Sequence, residues 1–291
     1  MIGFSFSPGG LLFPYHLGVI KSLSSTSNNY LTKDTPIAGS SAGAIAVASY
    51  AANVAPEQAL EGCIRISDAC ERMGGARGRL LPLLEQELDA LLPGDAHEMV
   101  NERNGLTGLA YKEVFPVQRN VLATRFDSRE QLIEDVCNSS MFPFFSSPWP
   151  CVVRNSRNEG RISNRNGSNY DDSINNSNSN AVNILNGLPR LVVDGYFTVP
   201  RERFGCPDLQ DLGVCDRTIT VSVFPHDAIG LTASERACDR ISPVLVDGNN
   251  DNELLSDLFR GAVYPSPRKL MVELFERGIA DAEAWGANEK I

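Results

Sequence analysis

The stretch PIAGSSAG, residues 36–43, contains the strongest local pattern in the chain. Its first three residues have the character of a short strand, and Gly39 to Gly43 form a G-x-S-x-G sequence that leads into a helix of small residues. Such a strand-to-helix turn holds its middle serine, here Ser41, in a strained backbone conformation with the hydroxyl exposed. Glycines flank the serine because side chains at Gly39 and Gly43 would meet the adjacent strand and helix. We therefore predict that Ser41, rather than Ser40, is a nucleophile.

A second glycine turn lies near the start of the chain. Residues 2–6 (IGFSF) predict a strand, residues 11–23 place apolar side chains at helical spacing, and the turn SPGG lies between them. Backbone N–H groups at the start of a helix suit a developing negative charge, so Gly9 and Gly10 are candidate oxyanion-hole donors. Packing or phosphate binding are other uses of a glycine turn, but a P-loop is excluded because Gly-Lys-Ser/Thr is absent.

Strands and helices alternate along the rest of the chain. Residues 188–194 and 217–224 have the apolar, β-branched character of strands, residues 57–92 predict helix with a core-facing leucine stripe, and the C-terminal end is again helical. This alternation predicts an α/β fold of three layers, α/β/α, with a mainly parallel central sheet. We expect a single domain over residues 1–291. It carries a disordered surface insertion at 154–180, where 15 of 27 residues are Asn or Ser.

A serine nucleophile needs a base, and the chain has three histidines, His16, His97 and His226. His16 lies among Leu and Tyr on a predicted helix, which indicates a structural histidine, whereas His97 lies in a polar stretch where we expect it to be exposed. His226 follows a strand and is the one candidate for a Ser-His-Asp triad with Ser41. The alternative base is Asp194, at the end of a predicted buried strand, where catalytic groups of α/β folds gather.

The formal charge of the chain is −10, from 26 Lys and Arg against 36 Asp and Glu. This balance argues against nucleic acid as a partner and against electrostatic docking on an anionic membrane. Seven cysteines without a C-x-x-C pair or zinc-ligand spacing indicate reduced thiols and no metal site. The sequence shows neither a signal-peptide pattern nor an apolar run long enough for a transmembrane helix. We therefore predict a cytoplasmic protein, which is compatible with peripheral attachment to membranes or lipid droplets.

These motifs, in this order, resemble the patatin-like phospholipase family, and most closely its animal-type branch of acylglycerol lipases and phospholipases. The segment SFSPGGLLFPYHLGV matches the family's oxyanion turn and helix, GSSAG its nucleophile elbow, and Asp194-Gly195 its D-G motif after a strand. CNSSMFPFF, ITVSVFPHDAIG and the C-terminal AVYPSPRKLMVELFERGIADAEAW extend the resemblance. The family uses a Ser-Asp dyad without a histidine. The resemblance thus implies Ser41 as nucleophile, Asp194 as base and His226 as a loop residue.

The resemblance implies a patatin-like fold and a lipid acyl hydrolase. Such an enzyme cleaves fatty-acid esters of glycerolipids, triacylglycerol or phospholipid, through an acyl-enzyme and without a metal or organic cofactor. Its partner is a lipid substrate at a membrane or lipid-droplet surface. Four aromatic residues are candidates for lining an acyl channel or touching lipid, with core packing as the alternative: Phe142, Phe144, Phe145 and Trp149.

Three positions depart from the family pattern. Pro8 replaces the first glycine of the oxyanion turn and has no N–H to donate, Phe13 replaces a small residue, and Tyr196 stands after the D-G motif where the family has Gly or Ala. Two alternatives therefore stay open. One is a catalytically degenerate family member that binds lipid or a partner without turnover. The other is a Ser-His-Asp esterase of small soluble esters that uses His226.

Overall fold

The structure is a computed structural model, and it describes residues 1–26, 28–155, 188–199, 203–225, 239–243 and 251–289, with side chains from 255 onward in the last segment. Most of the predicted insertion at 154–180 lies outside the described residues, and so does His226. Arg154, which the prediction placed inside the insertion, is instead the last residue of a strand.

The described residues form eight strands, eight α-helices and two short 3₁₀ helices. The strands are β1 (Ile2–Phe6), β2 (Ile37–Ser40), β3 (Thr107–Phe115), β4 (Arg119–Ala123), β5 (Val152–Arg154), β6 (Arg190–Val193), β7 (Arg217–Val221) and β8 (Arg240–Ile241). The α-helices are α1 (Phe13–Leu23), α2 (Ala42–Ala51), α3 (Pro56–Arg72), α4 (Leu80–Leu91), α5 (Ala96–Asn101), α6 (Arg129–Ser139), α7 (Asp251–Val263) and α8 (Arg268–Glu289). The 3₁₀ helices cover Gly10–Leu12 and Gly195–Thr198.

All eight strands belong to one sheet with the order β5-β6-β3-β2-β1-β7-β8, and β4 pairs with β3 off this path. The centre is parallel, since β1 pairs in parallel with both β2 and β7, and β2 with β3. Beyond that centre, β3 pairs antiparallel with β4 and β6, and β5 with β6. The sheet is therefore mixed but mostly parallel and flanked by helices, which confirms the predicted three-layer α/β/α class.

The segment predicted as helix over 57–92 is two helices, α3 and α4, rather than one. The turn between them contains Gly74, Gly75 and Gly78, all with positive φ, which a continuing right-handed helix does not allow. The leucine stripe lies on α4 as predicted, with Leu84 and Leu88 buried. The two helices pack against each other, and residues of both line the cavity of the candidate site.

Helices α1 and α8 cross at very short range because each contributes a glycine. A Cβ atom on Gly18 would lie 1.9 Å from the carbonyl oxygen of Phe275, and one on Gly278 would lie 2.2 Å from that of Tyr15. The Tyr15 hydroxyl also donates to the Asp281 carboxylate at 2.9 Å. The C-terminal helix is thus fixed to the helix that follows the first glycine turn.

Two sequence expectations about the whole chain can be compared with the described part. None of the helices there is both long and apolar enough to cross a membrane. The six cysteines within it are free thiols, and five of them are buried. Cys238 lies outside the described residues.

Candidate active site

Ser41 occupies a strained turn between β2 and α2. Its backbone has φ 54° and ψ −120°, a left-handed conformation that residues other than glycine rarely adopt. A Cβ atom on Gly39 would lie 2.4 Å from the carbonyl group of Gly43, and one on Gly43 would lie 2.3 Å from the carbonyl oxygen of Phe6. Backbone atoms therefore approach too closely for a side chain at either glycine, as the sequence analysis expected.

The turn is fixed by a serine that the sequence analysis did not single out. The Ser41 backbone N–H donates to the hydroxyl of Ser139 at 2.9 Å, and that hydroxyl donates to the carbonyl of Ala110 at 2.5 Å. Ser139 ends α6 and Ala110 lies in β3, so the link ties the elbow to two other elements. Ser40 is used differently, because its buried hydroxyl donates to the carbonyl of Gly205.

Asp194 follows β6 and is completely buried. Its Oδ1 atom accepts the backbone N–H of Tyr196 at 2.8 Å. Burial raises the pKa of Asp194 to about 7, against the lowering effects of the Tyr196 amide and the Ser41 side chain. The Ser41 hydroxyl is thus close to this carboxyl group, although Oδ2 has no hydrogen bond of ordinary geometry within the described residues. The structure brings together the two residues singled out from the sequence as nucleophile and base.

Gly195 allows Asp194 to approach the elbow. A Cβ atom on Gly195 would lie 2.3 Å from the carbonyl oxygen of Ala110 and 2.8 Å from Cβ of Ser40. Since these contacts leave no room for a side chain, the Asp-Gly pair is a packing requirement at this place and not a simple turn. The next residue, Tyr196, is half-buried, and its ring packs against Phe142 and Phe204.

The first glycine turn lies beside Ser41 at the same cavity. Gly10 has φ +55°, and a Cβ atom there would lie 2.3 Å from the carbonyl oxygen of Ala262. Neither the Gly9 nor the Gly10 N–H donates to an acceptor in the described part of the chain. These two amides are therefore available to a ligand, whereas Pro8, which also lines the cavity, has no N–H to donate.

The described histidines do not serve as a base for Ser41. His16 is completely buried, and its Nε2 atom lies 2.8 Å from the carbonyl oxygen of Ser7, so this nitrogen carries the proton and donates. Burial lowers the pKa of His16 to about 4, which keeps the ring neutral. His97 is half-buried and not exposed as expected, with its ring 3.9 Å from Glu98. The prediction of a structural role for His16 agrees with this geometry.

A cavity of about 400 Å³ opens at Ser41. Its walls are mostly apolar and come from the first glycine turn, α2, α3, α4, α7 and the segment after α6. Phe13 and Tyr196, two of the departures from the family pattern, form part of these walls, and so do Phe142 and Phe145. Phe144 and Trp149 are exposed on the surface. Phe145 also packs against the hydrophobic core, so cavity lining and core packing both apply to it.

Ser140 is a second residue that the sequence analysis missed. It is 5 % exposed and lines the cavity, and its hydroxyl has no hydrogen-bond partner within the described residues. A buried hydroxyl without a partner is costly unless a ligand satisfies it.

As for metals, the described ranges contain no group of three His, Cys, Asp or Glu side chains that could hold an ion.

The patatin-like phospholipase family model matches residues 4–200, more than half of the chain and including the elbow, the glycine turn and Asp194. The chain belongs to the patatin-like phospholipase family. One relative is human "Patatin-like phospholipase domain-containing protein 5", 27% identical over 165 residues, which cover 55% of this chain and 38% of the relative. Another is human "1-acylglycerol-3-phosphate O-acyltransferase PNPLA3", 28% identical over 163 residues, covering 53% and 32%. The matched part thus spans about a third of each relative. Membership supports lipid ester hydrolysis in broad terms.

Proposed function

We propose that this patatin-like protein hydrolyses fatty-acid esters of glycerolipids through a Ser41–Asp194 dyad and an acyl-enzyme. The observation that carries the proposal is the placement of a strained serine at an apolar cavity, next to a buried carboxyl group whose pKa is raised to about 7. A base with a pKa near the working pH combines a useful deprotonated fraction with proton affinity.

In the first half-reaction, Ser41 Oγ attacks the ester carbonyl carbon while Asp194 takes the hydroxyl proton. The N–H groups of Gly9 and Gly10 hold the negative charge on the carbonyl oxygen. The carbon–oxygen bond to the glycerol portion then breaks, and the leaving alkoxide takes the proton from Asp194. An alcohol departs, and the fatty acyl group stays on Ser41.

In the second half-reaction, water attacks the acyl carbonyl carbon and gives its proton to Asp194. The tetrahedral intermediate collapses, the bond to Ser41 Oγ breaks, and Oγ regains the proton from Asp194. A fatty acid leaves. The atoms balance with water as the sole co-substrate.

The cavity and its rim support a lipid as the substrate. The apolar walls favour a hydrocarbon chain by removing it from water. Phe142, Phe259 and Val263 both line the cavity and are exposed, so the apolar surface continues to the outside. We infer that this rim contacts a lipid surface, of a membrane or a lipid droplet. Because the chain carries a charge of −10, uncharged or zwitterionic lipid is favoured over anionic lipid.

Acyl transfer is a second candidate function, favoured by the acyltransferase name of one relative. The same acyl-enzyme would then be attacked by the hydroxyl of a lysolipid instead of water. Adding a lysolipid to the assay separates the two, since transfer produces a diacyl product and hydrolysis produces free fatty acid.

Two experiments test the proposal against the alternatives of a degenerate binding protein and of a triad that uses His226. An alkyl fluorophosphonate should label the native chain but not Ser41→Ala, whereas a protein without a working site should not be labelled at all. His226→Ala should retain most activity, while loss of several orders of magnitude would identify a triad base.

A further inference from the structure

An aromatic surface lies beside the cavity, on residues 142–149 (the aromatic segment). Phe142 lines the cavity and is 40 % exposed, while Phe144 and Trp149 do not line it and are 53 % and 69 % exposed. The Phe144 N–H donates to the carbonyl of Trp149 at 3.1 Å, which holds the two residues together. Phe144 has φ 58°, a left-handed conformation that is unusual for a bulky residue. Strained positions of this kind cluster at functional sites.

A turn with two arginines packs against this segment. It joins α3 to α4 over residues 73–79 (the arginine turn), and its Arg77 and Arg79 are exposed. Arg77 Nε donates to the carbonyl of Phe144 at 3.2 Å. The Gly78 N–H donates to the carbonyl of the residue after Phe144 at 2.6 Å. The two arginines therefore flank a residue that is bonded to the aromatic segment, next to the exposed Phe144.

The charge of this surface is opposite to that of the chain. The arginine turn (MGGARGR) and the aromatic segment (FPFFSSPW) contain two arginines and no acidic residue, while Glu71 and Arg72 just before the turn balance each other. Neither Arg77 nor Arg79 forms an ion pair with any of the residues that the structure describes. On a chain with a formal charge of −10, the surface thus offers two guanidinium groups to an anionic group.

We propose that the arginine turn and the aromatic segment form a docking surface for a phospholipid bilayer, with Arg77 and Arg79 on headgroup phosphates and Phe144 and Trp149 in the interface. The proposal rests on the proposed function and deepens it, because it adds a phosphate-binding part to the apolar rim from which the lipid substrate enters. Continuity with the cavity supports a lipid rather than a protein as the partner, since Phe142 belongs both to the cavity wall and to the exposed surface.

The chemistry of these side chains fits the layers of a bilayer surface. Aromatic rings at the headgroup level remove apolar area from water, and the Trp N–H stays within reach of polar groups. A guanidinium group binds a phosphate through two parallel charge-assisted hydrogen bonds, a contact that an uncharged sugar headgroup does not offer. A zwitterionic headgroup supplies this phosphate without a net negative surface, which would repel the chain as a whole. The surface should therefore prefer phosphatidylcholine to a bilayer without phosphate.

The test measures vesicle binding by the full chain with Ser41→Ala, so that turnover does not change the lipid. Co-sedimentation uses vesicles of phosphatidylcholine and, in parallel, vesicles of digalactosyl diacylglycerol, which carry neither phosphate nor charge. Arg77→Gln with Arg79→Gln removes both guanidinium groups. The matched control is Lys33→Gln with Arg125→Gln, which changes the net charge equally at exposed positions before β2 and after β4, on the edge of the sheet opposite to Ser41.

We expect the arginine pair variant to bind phosphatidylcholine at least about fivefold more weakly and galactolipid vesicles unchanged. The control pair should bind like Ser41→Ala alone. Trp149→Ala should weaken binding to both kinds of vesicle by about tenfold, because the burial of its ring does not depend on the headgroup. Circular dichroism checks that each variant is folded.

Equal losses for the arginine pair and its control pair, or for the arginine pair on both lipids, would overturn phosphate binding. No vesicle binding by the folded chain would overturn the docking surface as a whole. Hydrolysis of a soluble ester by the native chain is measured separately. Vesicle binding with the expected losses but without hydrolysis keeps the docking surface and rejects the enzyme, whereas hydrolysis with unaltered binding in all variants rejects the docking surface alone.

Discussion

The hydroxyl of Ser139 accepts the backbone N–H of Ser41 at 2.9 Å and so links the end of α6 to the start of α2. The left-handed backbone of Ser41 is held by this bond and by the two glycines around it. A nucleophile attacks only from a narrow range of positions, and a displacement of 1 Å costs up to about 100-fold in rate.

Ser139→Ala should therefore lower kcat by roughly 10- to 100-fold, with a smaller effect on stability, because the elbow loses its anchor. The matched control is Ser49→Ala, since Ser49 is buried in α2 and its hydroxyl has no partner within the described residues. Steady-state kinetics on a soluble ester measure the effect. Equal kcat values for the two variants would show that the anchor is dispensable.

Asp194 predicts the pH dependence of activity. As a base it must be deprotonated, and its pKa in the folded protein is raised to about 7. The kcat/KM value should rise with pH through about 7 and then level off. The pKa of His16 is lowered to about 4, so titration of this residue does not affect the pH–rate profile near neutral pH. A profile that is flat between pH 5 and 9 would speak against Asp194 as the base.

Asp194 also predicts a pH-dependent stability. Between the unfolded pKa of 3.8 and the folded pKa of about 7, the folded state keeps a proton that the unfolded state has lost. The free energy of unfolding therefore falls as pH rises through this window, by about 1.4 kcal/mol per pH unit from this group. Asp194→Asn removes the buried charge and should be more stable than the native chain at pH 8, by a few kcal/mol, but not at pH 4. Urea unfolding at both pH values measures this, and the same difference at both would contradict it.

The elbow glycines predict a local sensitivity to a single methyl group. Gly43→Ala would place Cβ 2.3 Å from the carbonyl oxygen of Phe6, so backbone must move, and we expect a loss of roughly 2–5 kcal/mol of stability. Gly94→Ala is the control, because a Cβ atom there meets nothing within 4 Å. Thermal unfolding of the two variants compares them, and a Gly43→Ala protein as stable as the control would disprove the close approach.

The apolar rim predicts an effect on lipid surfaces. Val263→Asp places a carboxylate at the rim and should weaken co-sedimentation with zwitterionic vesicles by about tenfold, since the charge must be dehydrated to enter the interface. Leu270→Asp is the control, because Leu270 is similarly exposed but does not line the cavity. If both variants bind vesicles equally, the rim is not the contact surface.

Much of the site could be predicted because its signals are local. The elbow needs glycine at positions 39 and 43 because backbone atoms approach closely there, and both glycines belong to one five-residue motif. The Asp194-Gly195 pair follows the same rule, since Gly195 packs against Ala110. Two of the central strands, β1 and β7, were also predictable from their short runs of apolar or β-branched residues.

The rest depends on contacts between distant residues. Ser139 lies 98 residues from Ser41, so nothing near either residue indicates their hydrogen bond. The pair of β3 and β4 was not predicted, because β3 contains the charged Glu113. That side chain is buried only because Arg119 and Arg190 bind it, at 2.7 and 2.6 Å. A buried charge is tolerated when such partners are present, and the sequence alone does not pair them.

The most direct test of the dyad is fatty-acid release from micellar triacylglycerol, phospholipid and lysophospholipid. The native chain is compared with Ser41→Ala and Asp194→Asn, each shown to be folded. We predict release by the native chain on at least one lipid and loss of at least about 1,000-fold in both variants. Release that survives Ser41→Ala, or no release by the folded native chain on any lipid, would contradict the Ser41–Asp194 mechanism.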